Sequence, residues 1–108
     1  MCYNVSMERE LKKDPRVKEL FEVIVHLEDP VECARFFRDL CTMSELKAMA
    51  ERWQVVQMLS EDIPYRKISQ RTGASTATIT RIARWLKYGE GGYRFMLERV
   101  RKQYEVQQ

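Results

Sequence analysis

The feature that most constrains this chain is the stretch from Ile68 to Leu86, ISQRTGASTATITRIARWL, which surrounds a single glycine with two helical patterns. Gly73 can end a helix in the left-handed backbone conformation without a Cβ penalty, and Ala74 is small enough to lie under the turn. Ser75 is a preferred residue for starting the next helix. The order predicts a helix over about 64–72, a tight turn, and a second helix from 76 to at least 86. This is the pattern of a helix-turn-helix.

The second helix of this motif has two distinct faces. One face is apolar at the 3.6-residue period, with Ile79, Ile82, Ala83 and Leu86. The opposite face has no acid and carries Thr76, Ala77, Thr80, Arg81, Arg84 and Lys87. Such a face can present methyl and hydroxyl groups to bases near its N-terminus and cations to phosphates further along. The alternative is an ordinary helical hairpin with a solvated basic face, because helix-turn-helix patterns are degenerate.

The distribution of charge favours the DNA-binding interpretation. Residues 64–108 hold ten Lys or Arg and three acids, a net charge of +7. The first 63 residues hold nine basic and thirteen acidic residues, a net charge of −4. The motif therefore lies in the half of the chain that a polyanion would attract.

The composition is that of a globular protein and excludes several other classes. At 108 residues with 44% hydrophobic and 32% charged residues, the chain is expected to form one domain. No apolar run reaches the roughly 18 residues of a membrane span. The start MCYNVSMERELKK lacks the apolar centre of a signal peptide, so we expect a cytoplasmic protein.

Residue types that carry catalysis or bind metal are scarce. Cys2, Cys33 and Cys41 are not in a paired metal spacing, and His26 is the one histidine. Cys33 and Cys41 are expected to be small core or interface residues, and His26 to interact with a helix C-terminus. We therefore predict no metal, no cofactor, no catalytic residue and no enzymatic activity.

Residue patterns typical of helix N-termini, here called start signals, predict the remaining helices. Asp14-Pro15 and Asp29-Pro30 each combine an N-cap residue with a proline at the first helical position. Thr42 and Glu45 match a capping box. The fold class expected is all-α, with six helices of which the helix-turn-helix forms the fourth and fifth. The predicted helices are about 15–27, 30–41, 43–60, 64–72, 76–86 and 93–104.

The predicted organisation is a single domain over 1–108 with four parts. Residues 1–13 form an arm without fixed structure, 14–62 the dimerisation helices, 63–88 the helix-turn-helix and 93–108 a C-terminal helix. The apolar faces of the first helices exceed what so short a chain can bury, which favours a homodimer. Its interface is predicted to include Phe21, Ile24, Phe37 and Trp53. A compact monomer is the alternative.

The chain also resembles a known family from Leu40 to about Val100. The most specific matches are Thr42, the segment 48–56 with Arg52, and GASTATITR at 73–81. They are similar to the Trp repressor superfamily, and the whole chain resembles its YerC/YecD-type branch. The resemblance implies an all-α, intertwined homodimer whose two helix-turn-helix heads enter successive major grooves of DNA.

The resemblance also implies roles for individual residues. Thr76, Ala77 and Thr80 match positions that face bases, and Arg66 matches a basic residue that meets DNA. Arg52 and Arg81 match the two arginines that enclose the indole of the tryptophan corepressor. The predicted DNA-binding residues are Arg66, Ser75, Thr76, Ala77, Thr80, Arg81, Arg84 and Lys87.

Three positions depart from the family's pattern. Ile82 stands where the repressor has a glycine, Trp85 where it has a pocket serine, and Ser69 where it has a basic contact. We therefore expect no tryptophan cofactor, with Trp85 filling the space between Arg52 and Arg81. The alternative is that Trp85 packs in the core against Leu86 and the last helix.

Two functions are consistent with the sequence. The first is a homodimeric transcription regulator, a repressor, that binds double-stranded DNA without tryptophan. The second is a dimeric helical interaction or scaffold protein that does not read DNA specifically. No membrane partner is expected under either function.

Overall fold

The structure, a computed structural model, describes residue 9 and residues 13–107, with side chains up to residue 103. All but two residues of the arm predicted at 1–13 lie outside this range. The described residues form six bounded α-helices and no β-strand. The predicted all-α fold, with the helix-turn-helix as fourth and fifth helices, is confirmed. The helices are α1 (Pro15–Ile24), α2 (Pro30–Leu40), α3 (Met43–Ser60), α4 (Tyr65–Thr72), α5 (Thr76–Tyr88) and α6 (Gly92–Gln107).

The start signals found in the sequence form the expected caps. The Asp29 carboxylate accepts from the Glu32 amide at 2.8 Å. The amide of Thr42 donates to the Glu45 carboxylate at 2.8 Å, and the Glu45 amide donates back to the Thr42 hydroxyl at 3.1 Å. This reciprocal pair is a capping box, which satisfies amides that have no partner within the helix.

Helix α1 is shorter than predicted, because it ends at Ile24 rather than near Leu27. The amides of His26 and Leu27 bond to the carbonyls of Val23 and Ile24, both at 3.0 Å. These bonds reach back three residues instead of four, so the chain leaves the α-helix through a tighter turn. Apolar periodicity did not reveal this ending, since Val25 and Leu27 continue the apolar pattern.

The chain divides into two compact units, Met1–Ala48 and Met49–Gln108. In the first unit, α1 and α2 contain no buried residue in the single chain. Phe21, on α1, keeps 44% of its surface exposed, and Val31, on α2, keeps 68%. The amphipathic helices of this unit therefore present large apolar side chains to solvent.

The second unit holds the hydrophobic core. Helix α3 contributes Val55, Val56 and Met58, and the helix-turn-helix contributes the other buried side chains. The apolar face predicted for α5 is confirmed, because Ile79, Ile82 and Ala83 are buried. The core thus fixes the orientation of α5 about its own axis. The cluster consists of Val55, Val56, Met58, Ile68, Ala74, Ile79 and Ile82, with Trp53, Leu59, Ile63, Leu86, Tyr93 and Leu97 packed against it.

A left-handed turn directs the chain from α3 into the helix-turn-helix. The amide of Ile63 bonds to the Met58 carbonyl at 3.2 Å, and that of Asp62 bonds to the Leu59 carbonyl at 3.1 Å. Asp62 has a φ of 60°, a conformation that side-chain-bearing residues rarely adopt. Pro64 then follows as the N-cap of α4.

Candidate DNA-binding site

The turn between α4 and α5 has the backbone geometry predicted from Gly73. This residue lies in the left-handed region, with φ 82° and ψ −5°, and its amide bonds to the Ser69 carbonyl at 2.9 Å. No heavy atom beyond its chain neighbours lies within 4 Å of where a Cβ would be. The backbone conformation, rather than a lack of space, is therefore the reason for glycine here.

Two hydroxyl groups hold this turn together. Ser69, which is half-buried, donates to the carbonyl of Ala74 at 2.7 Å. Thr72 donates to the Ile68 carbonyl at 2.7 Å and accepts from the Ala74 amide at 3.1 Å. The sequence pattern did not indicate the bond from Ser69. Its hydroxyl stabilises the turn, which explains a serine at this position without a DNA contact.

The N-cap of α5 engages the hydroxyl of Ser75 both as an acceptor and as a donor. The oxygen accepts from the Thr78 amide at 3.1 Å, and the hydroxyl lies 3.0 Å from Oγ1 of Thr78, to which it donates. The cap predicted at Ser75 is confirmed. Ser75 is exposed at the edge of the predicted DNA-facing surface, but its hydroxyl already has partners within the helix.

The eight predicted DNA-binding residues are all exposed; Arg66 lies on α4, and those on α5 lie outside the face that this helix buries against the core. Residues 64–88 contain six Lys or Arg and no acid. The N-terminus of α5 adds the partial positive charge of its unpaired amides. The surface therefore combines small side chains at the start of α5 with cations along and around it. We call it the basic face: Arg66, Ser75, Thr76, Ala77, Thr80, Arg81, Arg84 and Lys87.

Arg94 supports the basic face from the next helix, a role that the sequence pattern did not predict. Its guanidinium donates through Nε to the Leu86 carbonyl at 3.0 Å, and through a terminal nitrogen to the Lys87 carbonyl. Carbonyls in the last turn of a helix lack partners inside the helix, so this arginine caps the C-terminus of α5. A basic residue shortly after a glycine-rich break is the only sequence signal that indicates such a cap.

The predicted self-filled ligand pocket is not formed within one chain. Arg52 and Arg81 are exposed, whereas Ile82 is 1% exposed and belongs to the core. Trp85 keeps 47% of its surface exposed, which a ring enclosed by two guanidinium groups would not. The cation–π contact in the described part of the chain joins Arg99 to Phe95, at 4.8 Å.

The four predicted interface residues have different surroundings. Phe21 is exposed, while Ile24 and Phe37 are half-buried. The ring of Phe37 meets that of Phe36 edge to face, with centroids 5.7 Å apart. Trp53 packs against the core of the second unit, with its ring centroid 6.4 Å from that of Tyr93. Trp53 therefore supports the core of the second unit.

The described residues contain neither a metal-binding cluster nor a membrane-spanning helix. No group of three or more His, Cys, Asp or Glu in the described ranges is arranged to hold a metal ion. None of the helices described is both long enough and apolar enough to cross a membrane.

An all-α domain in which a glycine turn joins a short helix to an acid-free helix with one exposed face belongs to the helix-turn-helix class of proteins. Comparison with known proteins is more specific: residues 15–101 match the Trp repressor protein family, and the chain belongs to it. It is 49% identical over 84 residues to the uncharacterized protein YerC of Bacillus subtilis (strain 168), covering 78% of this chain and 81% of YerC. It is 30% identical over 87 residues to the Trp operon repressor homolog of Chlamydia caviae, covering 80% and 86% of the two chains.

A solved structure agrees with this assignment. The crystal structure of a TrpR like protein from Eubacterium eligens ATCC 27750 superimposes with a TM-score of 0.80 at 42% sequence identity. The match covers 85% of this chain and 94% of that one. Trp repressor family proteins are DNA-binding regulators rather than enzymes, and this chain is a Trp repressor-like regulator.

Proposed function

We propose that this protein is a cytoplasmic transcriptional repressor that binds a specific double-stranded DNA site as a homodimer, without tryptophan as a corepressor. The observation that carries the proposal is the basic face, which the core and two caps hold in a fixed orientation. Its small residues lie at the N-terminal end of α5, and its longest cations lie further along.

The basic face has the layout that major-groove binding requires. An α-helix fits the major groove, and in a helix-turn-helix the N-terminal part of the second helix meets the base edges. In α5 this part carries Thr76, Ala77 and Thr80. Arg84 and Lys87 lie nearer the end of the helix, where they can reach phosphates. Phosphate contacts set affinity and position, whereas base contacts set specificity.

The exposed apolar residues of α1 and α2 support the homodimer. Monomeric proteins rarely leave extensive apolar surface open to water, and burial between two copies removes it. Two heads related by two-fold symmetry would then bind half-sites about 10 bp apart, one turn of the duplex. Such a site reads the same on both strands.

The residues at the family's ligand pocket support independence from tryptophan. Ile82 is buried in the core at the position where the family has a glycine, and Trp85 places an indole where the family has a serine. Both changes add volume where a ligand would need space. The contacts of α5 with the core already hold its orientation in the chain without a ligand.

Selection of bound duplexes from a random pool tests the proposal. The selected sequences should share two symmetric half-sites, and Ala77→Glu or Thr80→Glu should abolish binding to them. Arg84→Ala and Lys87→Ala should weaken all duplexes alike and reduce the slope of log affinity against log salt by about 0.9 for each phosphate that is no longer neutralised. Lys18→Ala, the same change of charge on α1, is the control and should leave the slope unaltered.

A pool that yields no shared sequence, from a protein that is nevertheless a stable dimer, would contradict the proposal. It would favour the dimeric interaction or scaffold protein instead. A selected site without two-fold symmetry would contradict the homodimeric arrangement of the heads.

A further inference from the structure

The hydroxyl of Thr80 is already engaged within α5. It donates to the carbonyl of Thr76, one turn earlier, at 2.8 Å. A threonine hydroxyl has one proton to donate, so this bond leaves Thr80 without a donor for a base. What Thr80 can offer to the groove is its methyl group and the acceptor capacity of its oxygen.

Two neighbouring residues, Ala77 and Ser75, also have no free side-chain proton donor. Ala77 has only a methyl group, and the Ser75 hydroxyl donates to Thr78. In the described part of the chain, the Thr76 hydroxyl is the one between 75 and 80 that neither donates nor accepts a side-chain hydrogen bond. The surface formed by Ala77 and Thr80 is therefore a methyl surface that contains no free proton donor.

The chemistry of the bases determines what this surface can recognise. Guanine presents two acceptors in the major groove and requires donors such as arginine, whereas thymine presents a methyl group that favours apolar contact. Residues three apart on a helix have Cβ atoms about 5–6 Å apart on one face. Successive bases of a strand are stacked about 3.4 Å apart in the duplex. Ala77 and Thr80 can therefore contact the same thymine or two successive thymines.

We propose that Ala77 and Thr80 read thymine in each half-site through its C5 methyl group, and that the methyl of Thr80 rather than its hydroxyl makes this contact. The inference rests on the proposed DNA-binding function and adds the chemical identity of the base. Arg81, which carries donors, is left for phosphates or for other base pairs, and Arg84 for phosphates.

The test uses a duplex selected from the random pool and the full-length protein. Replacing thymine by uracil removes only the C5 methyl group. Uracil at the contacted thymine of both half-sites should weaken binding roughly fourfold per methyl removed, or about sixteenfold for the symmetric site. The same replacement in the flanks outside the half-sites is the control and should change nothing.

Two near-isosteric variants separate the methyl from the hydroxyl. Thr80→Val keeps a methyl and removes the hydroxyl, and should bind within about twofold of the native protein. Thr80→Ser keeps the hydroxyl and removes the methyl, and should bind roughly fourfold more weakly per half-site. Because the Ala77 methyl remains, Thr80→Ser should lose only part of its sensitivity to uracil. Urea unfolding of both variants checks that the fold is intact.

Several outcomes would overturn the inference. Affinity for the selected site that does not change with uracil at any thymine of the half-sites would exclude methyl recognition while leaving specific DNA binding established. So would a folded Thr80→Val that loses binding while Thr80→Ser retains it, because the hydroxyl would then be the contact. A pool with no shared sequence would overturn both this inference and the proposed function.

Discussion

The Nε of Arg94 lies 3.0 Å from the carbonyl oxygen of Leu86, so a side chain from the first turn of α6 caps the last turn of α5. The same guanidinium also donates to the carbonyl of Lys87. In the described residues Arg94 makes no ion pair with a carboxylate. Its charge therefore interacts with the negative end of the helix dipole of α5. The helix proposed to enter DNA is fixed at its N-terminus by Ser75 and at its C-terminus by Arg94.

Arg94→Ala should lower the free energy of unfolding by about 1 kcal/mol, because exposed hydrogen bonds from a charged group are removed along with the dipole interaction. Urea unfolding at neutral pH measures the effect. Arg101→Ala, the same change on an exposed position of α6, is the control and should stay within about 0.5 kcal/mol of the native protein. Equal losses in the two variants would show that Arg94 acts only as a charge on α6.

Gly89 and Gly92 should respond differently to alanine. A Cβ on Gly89 would clash with the Trp85 carbonyl oxygen, a backbone atom that cannot rotate away, whereas one on Gly92 meets nothing within 4 Å. Gly89→Ala should therefore cost about 2 kcal/mol of unfolding free energy, as overpacking typically does. Gly92→Ala, within α6, should be neutral or slightly stabilising. Comparable urea midpoints for the two variants would contradict the geometry at Gly89.

The capping box at α3 predicts a pH dependence of stability. The Thr42 amide, and after it the Thr42 hydroxyl, bond to the Glu45 carboxylate and hold its pKa below the ordinary value. Because the pKa of Glu45 is lower in the folded state, its ionised carboxylate stabilises the protein at pH values above the unfolded pKa of about 4.3. This contribution to stability is lost as the pH falls through the pKa of the folded state. The stability advantage of the native protein over Glu45→Gln should therefore shrink as the pH falls from about 6 to about 3.

Unfolding curves of the two proteins at a series of pH values measure this difference. Asp14, whose pKa is lowered by its hydrogen bonds with Arg16, contributes equally to both and cancels in the comparison. A constant difference in stability over the whole range would show that ionisation of Glu45 is not linked to folding.

The sequence predicted the parts of the fold that depend on local chemistry. Gly73, Ser75 and the Thr42–Glu45 pair were identified correctly because each depends on a backbone requirement that few residue types meet. The end of α1 was misplaced, because Val25 and Leu27 continue the apolar pattern after the hydrogen bonding has changed. The cap by Arg94 joins two helices across a loop, and a basic residue after a glycine-rich break does not reveal which carbonyls it will meet. The contacts of the Trp85 side chain could not be predicted either, because apolar periodicity does not determine which neighbouring side chains cover its ring.

The proposed homodimer predicts that an acidic residue on α1 will disrupt association. Phe21→Glu places a charge on the exposed apolar face of α1, where burial between subunits would remove it from water at a high cost. Light scattering at micromolar concentration should give twice the chain mass for the native protein and a lower mass for this variant. Tyr88→Glu, at an aromatic residue that is 81% exposed on α5, is the control and should remain a dimer. A native protein with monomer mass at every accessible concentration would contradict the prediction.

The final prediction is that the native protein does not bind free L-tryptophan in calorimetry. Ile82 and Trp85 add volume at the positions where the family has a glycine and a serine, so binding is expected only after both are reduced, as in Trp85→Ser combined with Ile82→Gly. Because Ile82 lies in the core, its truncation should cost about 3 kcal/mol or more, so the double variant must first be shown to fold by its unfolding transition. Trp85→Ser alone is the matched variant for the double variant, because it leaves Ile82 and therefore the core intact. A measurable affinity of the unmodified protein for tryptophan would show that the added side chains leave the ligand site open.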